Sequence, residues 1–316
     1  MRIIRHDVAN LARLFTLVAC LALSPAPRAG ESPFGFIYTT DTQPKGTFEV
    51  EQWATLRRGK QQGGYDLWQH RTEFEYGVTN NFQAAIYLNN YAVKAHASDG
   101  AGNTTGPYVP ENIDQTRPYR SGLRYDSTSL EFIYRLWSPY TDPLGVALYW
   151  EPSFGPQKRE HEFKLLLQKN FLDDRLVVAG NVVASAEWNR RTGDPSLAPA
   201  DEVFFSRTER NAEVNYWLGV SYRFAPKWSA ALEFWNHREF DCHTLSKRQC
   251  AEHSAYFLGP TLHYAEKQWW FTVSWLPQLP YGRCYNDGQC AVTGNGRIYG
   301  DEHEKNTFRF KVGLLF

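Results

Sequence analysis

The ten residues Thr307-Phe-Arg-Phe-Lys-Val-Gly-Leu-Leu-Phe316 decide how the rest of the sequence is interpreted. Apolar side chains occupy every second position from Phe308 to Phe316, and only Leu315 breaks the polar set between them. Such alternation is typical of a β-strand with one apolar and one polar face. In outer-membrane β-barrels the apolar face of each strand contacts lipid. Because a C-terminal aromatic residue on such a stripe is what the assembly machinery of these barrels reads, we predict that Phe316 is an insertion signal.

The same period of two recurs along most of the chain. The segment from Ala212 to Phe224 alternates over thirteen residues, which is longer than most strands of soluble proteins. Counting such segments predicts about twelve strands, and an even number is the rule for bacterial barrels made of one chain. The predicted strands lie near 47–58, 66–78, 82–91, 118–137, 146–154, 161–170, 176–188, 209–224, 228–237, 254–264, 269–276 and 305–316.

The connections between the predicted strands largely alternate between short and long. Outer-membrane barrels have short periplasmic turns and longer external loops. We therefore predict an all-β fold in the outer membrane of a Gram-negative bacterium: a single antiparallel transmembrane β-barrel with both termini in the periplasm. The short connections lie at 79–81, 138–145, 172–174, 225–227 and 265–267, and the longest ones lie at 92–117, 189–208, 238–253 and 277–304.

The N-terminal residues indicate export. A basic stretch that ends at Arg13 precedes a short apolar run, and small residues follow up to Ala29. This order is typical of a secretory signal peptide, and the apolar run is too short to span a bilayer. Acylation of Cys20, which ends a lipobox-like stretch, is the alternative. The predicted domains are a signal peptide at 1–29, a periplasmic N-terminal segment at 30–46 and the outer-membrane β-barrel at 47–316.

The overall composition indicates which kinds of partner the protein binds. The formal net charge of the 316 residues is zero, which predicts no binding to nucleic acid. Aromatic residues make up 16% of the chain, and several tryptophans lie near the ends of predicted strands, as in the aromatic girdles that anchor barrels in lipid. We predict contacts with outer-membrane lipid and with the assembly machinery, and neither a cofactor nor a metal. The predicted girdle tryptophans are Trp68, Trp137, Trp228, Trp269 and Trp270.

Four cysteines follow the predicted signal peptide, and all of them lie in predicted external loops. An even number of cysteines in an exported chain indicates disulfides. Short sequence separation favours Cys242 with Cys250 and Cys284 with Cys290, while bonds between the two loops remain an alternative. The first pair and the nearby His253 also suggest metal ligands, but an oxidising compartment favours disulfides.

Four stretches carry a resemblance to known proteins: Phe36–Gly46, Glu49–Trp53, Arg71–Thr79 and Ser138–Gly145. They resemble an uncharacterised family of proteobacterial outer-membrane β-barrels, a domain of unknown function, and the similarity covers essentially the whole mature chain. The resemblance implies the fold and the location. It implies no activity and no site residues, and the cysteine-bearing external loops are where we expect this chain to differ from its relatives.

Charged side chains occupy the polar face of many predicted strands. On a barrel this face points into the lumen, where charges must pair or stay hydrated. Pairing would fill the barrel, whereas an acidic excess would line a pore and favour cations. Twelve strands lie between barrels that side chains fill and barrels that hold channels, so a narrow wet passage and a plugged lumen both remain open. The residues predicted to line the lumen are Glu49, Glu51, Glu73, Glu75, Glu213 and Glu233, with Arg71, Arg223 and Arg309 as their partners.

Catalytic arrangements are hard to recognise in this sequence. His253 and Ser254 form only a dipeptide, and adjacent side chains of a strand point to opposite faces. We predict a passive or substrate-selective channel for small solutes or cations, without catalysis. The alternatives are a non-conducting structural or surface-interaction barrel and, less favoured, a membrane-embedded hydrolase.

Overall fold

The chain forms a β-barrel in a computed structural model that describes residues 32–60, 62–193, 204–243, 250–285, 290–292, 297–300 and 303–316, without the side chains of 290–292 and 298. The predicted signal peptide at 1–29 and Cys20 lie outside these residues. Within the described ranges, no helix is long and apolar enough to cross a membrane.

Sixteen strands follow one another along the described chain, twelve of them long and four short. The long strands form the barrel, and the short ones, β4, β13, β14 and β15, lie in the connections after β3 and β12. The strands are β1 Phe48–Arg58, β2 Gly64–Thr79, β3 Phe82–His96, β4 Tyr119–Arg120, β5 Arg124–Trp137, β6 Gly145–Phe154, β7 Lys158–Phe171, β8 Leu176–Arg191, β9 Arg207–Ala225, β10 Trp228–Phe240, β11 Ala251–Ala265, β12 Trp269–Pro277, β13 Arg283–Cys284, β14 Cys290–Val292, β15 Ile298–Gly300 and β16 Asn306–Leu315.

The twelve long strands pair with antiparallel neighbours and close into a ring. The ring closes where β1 pairs with β16, so that Glu49 lies opposite Leu315 and Arg58 lies opposite Asn306. Because the ring is closed, no long strand of the described chain has an unpaired edge. Strands that lie in lipid require this, since lipid offers no hydrogen bonds to the backbone. The predicted fold, a closed antiparallel barrel of about twelve strands, is confirmed.

The two faces of the barrel wall differ in polarity. Phe308, Phe310 and Leu314 on the outer face are 40%, 44% and 50% exposed. Glu49 and Glu51, on the inner face of the neighbouring strand, are 0% and 4% exposed. An apolar exterior around a polar interior is the arrangement of a barrel that lies in lipid.

Two sequence predictions about the wall need correction. The predicted strand at 118–137 is broken: β4 pairs only with β3, and β5 begins at Arg124. A bulge follows at Asp126, because Asn89 and Asn90 pair with Ser127 and Tyr125 and leave Asp126 without a partner across the ladder. Trp270 is not part of the lipid-facing girdle. It is 1% exposed and its indole N–H donates to the Glu49 carboxylate inside the barrel.

Residues 32–46, called the plug segment below, lie inside the barrel. This differs from the predicted periplasmic segment at 30–46. Phe34 and Ile37 are 0% and 2% exposed and pack against Ala179 and Ala231, which are inward-facing residues of β8 and β10. The interior of a twelve-stranded barrel has room for a strand-width of extra chain, and the plug segment occupies that room.

Candidate functional site

The plug segment is held by charged side chains from opposite sides of the wall. The Glu233 carboxylate accepts hydrogen bonds from the backbone N–H groups of Gly35, Phe36 and Ile37 at 2.8, 2.8 and 3.2 Å. Arg309 donates to the carbonyl oxygen of Gly35 at 3.1 Å, and its guanidinium lies 3.9 Å from the Phe36 ring centroid. One carboxylate thus satisfies backbone donors that would otherwise be buried without partners.

Amide side chains hold the next part of the plug segment. Asn181 exchanges two hydrogen bonds of 2.8 Å with the backbone of Tyr38. Gln168 accepts a hydrogen bond of 2.7 Å from the backbone N–H of Thr40. These amides mimic the backbone groups of a pairing strand, so the plug segment needs no ladder of its own.

Five carboxylates cluster in the periplasmic half of the lumen, the half next to the short turns, and the plug segment lies against them. The Gln43 amide donates to Glu75 at 3.2 Å and also to Glu49. The Lys311 ammonium lies 3.6 Å from Glu51. Buried carboxylates this close repel one another unless cations or protons intervene. The five form two groups, each within 4.8 Å, that share Glu75: Glu49, Glu51 and Glu75, and Glu73, Glu75 and Glu131.

The external half of the lumen holds a cavity of about 1020 Å³. Phe36 and Tyr38 of the plug segment contribute to its lining. On its wall, the Lys158 ammonium lies 2.9 Å from Glu160 and 3.0 Å from Glu187. Carboxylates and basic side chains line the cavity in nearly equal numbers, so its charges largely balance.

Arg71 connects several inward-facing side chains where the two halves meet. Its Nη2 atom lies 3.3 Å from Glu151, and its Nε–H donates to Asn89 at 3.1 Å. The guanidinium also lies 4.2 Å from the Tyr87 ring centroid and 5.0 Å from that of Trp53. A planar guanidinium is suited to this mixture of ion pair and ring contacts.

The predicted arginine partners occupy different environments. Arg71 and Arg309 lie in the lumen, but Arg309 binds the plug segment and the Thr55 hydroxyl at 2.9 Å. Arg223 lies at the periplasmic rim, where its Nη2 atom is 3.5 Å from the Asp173 carbonyl oxygen. It lies two residues from the end of β9, so its inward-facing position falls beyond the carboxylates of the lumen. The proposed role of these residues in lining a passage stays a prediction.

Tyr108 lines the cavity from the long loop between β3 and β4. Its ring centroid lies 4.2 Å from that of Tyr91. Burial raises the pKa of Tyr108, so its hydroxyl is neutral at physiological pH. The loop therefore adds an uncharged polar group to a wall that is otherwise rich in charge.

Sequence reasoning missed a group of three buried histidines. His237 comes from β10, His253 from β11, and His303 from the loop before β16. They are far apart in sequence, and no spacing in the chain signals that they meet. The Ser254 hydroxyl accepts a hydrogen bond of 2.8 Å from Asn236, and within the described part of the chain it is not bonded to an imidazole.

One predicted disulfide is confirmed. Cys242 and Cys250 are bonded and connect the external ends of β10 and β11. Cys284 is also disulfide-bonded. The side chain of Cys290 lies outside the described residues, so its pairing with Cys284 stays a prediction.

Residues 26–316 match the sequence profile of a family described as "Family of unknown function (DUF6662)". The chain belongs to this family. The sequence-based resemblance to an uncharacterised family of outer-membrane barrels is thereby confirmed. No curated protein matches the sequence of this DUF6662 member.

Among the solved structures that are similar to this DUF6662 chain, one with a TM-score above 0.5 shows the shared barrel fold. An outer membrane channel from Pseudomonas putida F1 is 11% identical, with a TM-score of 0.53 over 88% of this chain and 98% of that one. The β-domain of the Bordetella autotransporter BrkA is 12% identical, with a TM-score of 0.48 over 86% of this chain and 100% of that one. The NanC porin is 12% identical, with a TM-score of 0.46 over 84% and 98%. The DUF6662 chain is an outer-membrane β-barrel.

Proposed function

We propose that this protein is an outer-membrane channel for small solutes or cations, and that the plug segment closes its passage. One observation carries the proposal. The external cavity, about 1020 Å³ in volume, reaches down to Phe36 and Tyr38 of the plug segment. The same segment then occupies the periplasmic half of the lumen. Movement of the plug segment would therefore open a passage, because this segment fills space that the barrel wall encloses.

The contacts between the plug segment and the barrel wall support reversible release of the segment. The plug segment is bound to the wall through carboxylate, amide and guanidinium groups. Each such hydrogen bond contributes only about 0.5–1.5 kcal/mol net, or about 1.5–3 kcal/mol where a charged group takes part, because water replaces it when it breaks. Phe34 and Ile37 are the apolar anchors that oppose release.

The carboxylate cluster supports a preference for cations in the open state. Once the Gln43 amide leaves Glu49 and Glu75, the carboxylates face water that enters the periplasmic half. A ring of carboxylates in a narrow passage attracts cations and excludes anions. The outer membrane channel from Pseudomonas putida F1 provides an example of a channel built on this fold.

Planar-bilayer recordings test the proposal. We expect the full-length protein to show low or intermittent conductance and a variant lacking residues 32–46 to show large, steady, cation-selective conductance. Both proteins are first shown to be folded by their faster migration when unheated on a denaturing gel. If the folded deletion variant passes no ions, and liposomes that contain it do not swell in uncharged solutes, the channel function is wrong.

The alternative function is a non-conducting barrel that binds something at the cell surface. The observation in its favour is that the cavity is lined by residues of external loops, such as Tyr108 and Glu111. The same recordings separate the two functions, since a silent deletion variant would leave the surface-binding barrel as the better account.

A further inference from the structure

We propose that His237, His253 and His303 bind a divalent transition-metal ion, with Zn²⁺ as the expected ion, in the wall of the external cavity. This site is independent of whether the barrel conducts. The three imidazoles each offer a nitrogen within 4.8 Å of the others. They are 4%, 0% and 8% exposed, and His237 and His303 line the cavity, which provides a route of entry.

The hydrogen bonding of the cluster is incomplete without a ligand. Both nitrogens of His237 and Nδ1 of His253 are buried and have no hydrogen-bond partner among the residues that the structure describes. A buried polar group left in this way costs about 1–3 kcal/mol. Few native groups are left unpaired without a reason, and a bound ion is one such reason.

The distances fit a metal ion after a small adjustment. Nε2 of His253 and Nε2 of His303 lie 2.7 Å apart. Zinc–nitrogen bonds of about 2.0–2.1 Å in a tetrahedral site hold two such nitrogens about 3.3 Å apart. His303 lies in a connection rather than in a barrel strand. We therefore expect the imidazole of His303 to move and to lengthen the distance between the two nitrogens.

Two carboxylates lie beside the imidazoles, one as a further ligand and one as a group that orients His237. Oε2 of Glu239 lies 3.9 Å from Nε2 of His237 and 3.8 Å from Nε2 of His253, which makes it the expected fourth ligand. Oε2 of Glu213 lies 3.6 Å from Nδ1 of His237, on the other edge of that ring. A carboxylate behind a histidine in this position orients the ring for a metal.

The loop that carries His303 is fixed on both sides of it. Gln278 accepts a hydrogen bond of 2.8 Å from the N–H of Gly300 and donates one of 3.1 Å to the carbonyl of Glu304. The Glu304 carboxylate lies 3.4 Å from Arg57 and accepts a hydrogen bond of 2.7 Å from Thr307. The imidazole is thus held close to its proposed coordinating position.

The donor set selects among metals. Imidazole nitrogens suit Zn²⁺, Cu²⁺ and Ni²⁺, whereas Ca²⁺ and Mg²⁺ prefer oxygen ligands. The alternative is a purely structural cluster in which one imidazole donates to another. That alternative explains the contact between His253 and His303, but it leaves both nitrogens of His237 without a hydrogen bond among the described residues, at 3.6 and 3.9 Å from Glu213 and Glu239.

Zinc titration tests the proposal on untagged, full-length protein in detergent micelles after removal of metals with a chelator. A chromophoric chelator competes for ZnCl₂, so that both stoichiometry and affinity are measured. We expect one tight site in the wild type. His303→Gln and His253→Gln should each weaken that site by more than about 100-fold, beyond the usual cost of losing an outer-shell partner.

The matched control is His263→Gln. His263 also lies on β11 and is 4% exposed, but its Nδ1 pairs with the Thr272 hydroxyl at 2.8 Å, away from the cluster. This variant should keep the tight site. Glu213→Gln should weaken the site by about 10- to 100-fold, the effect of an orienting carboxylate.

A second readout is the visible spectrum of bound Co²⁺, which should be that of a tetrahedral site and should disappear in His303→Gln. Because His303 lies outside the strands, that variant is expected to fold even where His253→Gln does not. Absence of tight zinc binding by the wild type would overturn the proposal. Tight binding that survives in folded His303→Gln would overturn it too, because the zinc would then be held by other groups.

Discussion

The two halves of the lumen are built from the same alternating strands but differ in what fills them. In the periplasmic half the plug segment lies on inward-facing side chains such as Glu233 and Asn181. In the external half the inward-facing side chains surround a cavity of about 1020 Å³. The alternation of a strand therefore determines which residues face inward, while a separate piece of chain determines whether the interior is closed.

The charge patterns of the two halves differ as well. In the external half most carboxylates have a basic neighbour, as Glu187 has Lys158 at 3.0 Å. In the periplasmic half five carboxylates cluster, and neutral groups of the plug segment lie against two of them. Such a cluster is costly to bury and is most useful when cations reach it. On the proposed channel function, we expect the periplasmic half to be the part of the lumen that discriminates between ions.

The largest effect is expected from Gly35→Ala. A Cβ atom at residue 35 would lie 1.9 Å from Oγ and 2.8 Å from Cβ of Ser274, so we expect it to displace the plug segment from this position. We expect long-lived openings in bilayer recordings. The double variant Gly35→Ala, Ser274→Gly removes both clashing atoms and should close the channel again.

Gly122→Ala is the control for this experiment, because an added Cβ there meets no atom of the described residues within 4 Å. It should conduct like the wild type. Unchanged conductance in Gly35→Ala would contradict the closing of the passage by a plug segment that packs against Ser274.

A smaller effect is expected from Glu233→Gln. Glutamine keeps one acceptor oxygen but loses the charge that strengthens the bonds to the N–H groups of Gly35 and Phe36, and charge-assisted bonds are about twice as strong as neutral ones. We expect the open probability to rise, but less than in Gly35→Ala. Glu160→Gln also removes an inward-facing carboxylate, one that pairs with Lys158 at 2.9 Å, and should leave the open probability unchanged. An equal rise in both variants would mean that the overall charge of the lumen controls opening, and not the hydrogen bonds that hold the plug segment.

Selectivity should change next, in the variant that lacks residues 32–46. With Glu73→Gln and Glu75→Gln added, the reversal potential in a KCl gradient should move toward zero, because two carboxylates of the passage lose their charge. Glu266→Gln is the control. The hydrogen bond from Lys227 lowers the pKa of the Glu266 carboxyl, so it is ionised at neutral pH, but it lies in a periplasmic turn. A shift of the same size in the control would show that the lumen carboxylates do not set selectivity.

The sequence was a reliable guide to the barrel wall but not to its contents. Alternation in Phe308–Phe316 or Ala212–Phe224 reports the facing of each side chain, because strand geometry has a period of two. The plug segment alternates only over Phe34, Phe36 and Tyr38, which is too short for a membrane-spanning strand. Wall side chains such as Glu233 and Gln168 take the place of a strand ladder. The sequence therefore predicts a periplasmic segment at these residues. The meeting of His237 with His303 depends on the path of a loop, which no local pattern encodes.

The smallest effect is expected at the external rim, from Cys242→Ser combined with Cys250→Ser. This disulfide closes a loop with a sequence separation of 8 and ties together the ends of β10 and β11. A loop of that size is worth about 2–3 kcal/mol on the chain-entropy account, and the barrel below it is closed by its own ladder. Conductance should therefore stay unchanged, while amide hydrogen exchange should quicken near Phe240 and Ala251, which pair at the external end. Trp228 and Tyr264 pair at the periplasmic end of the same two strands and provide an internal control whose exchange should not change. Faster exchange at both ends would show that the disulfide stabilises the whole strand pair. The periplasmic and external halves of the barrel would then be coupled, although one holds the plug segment and the other a cavity.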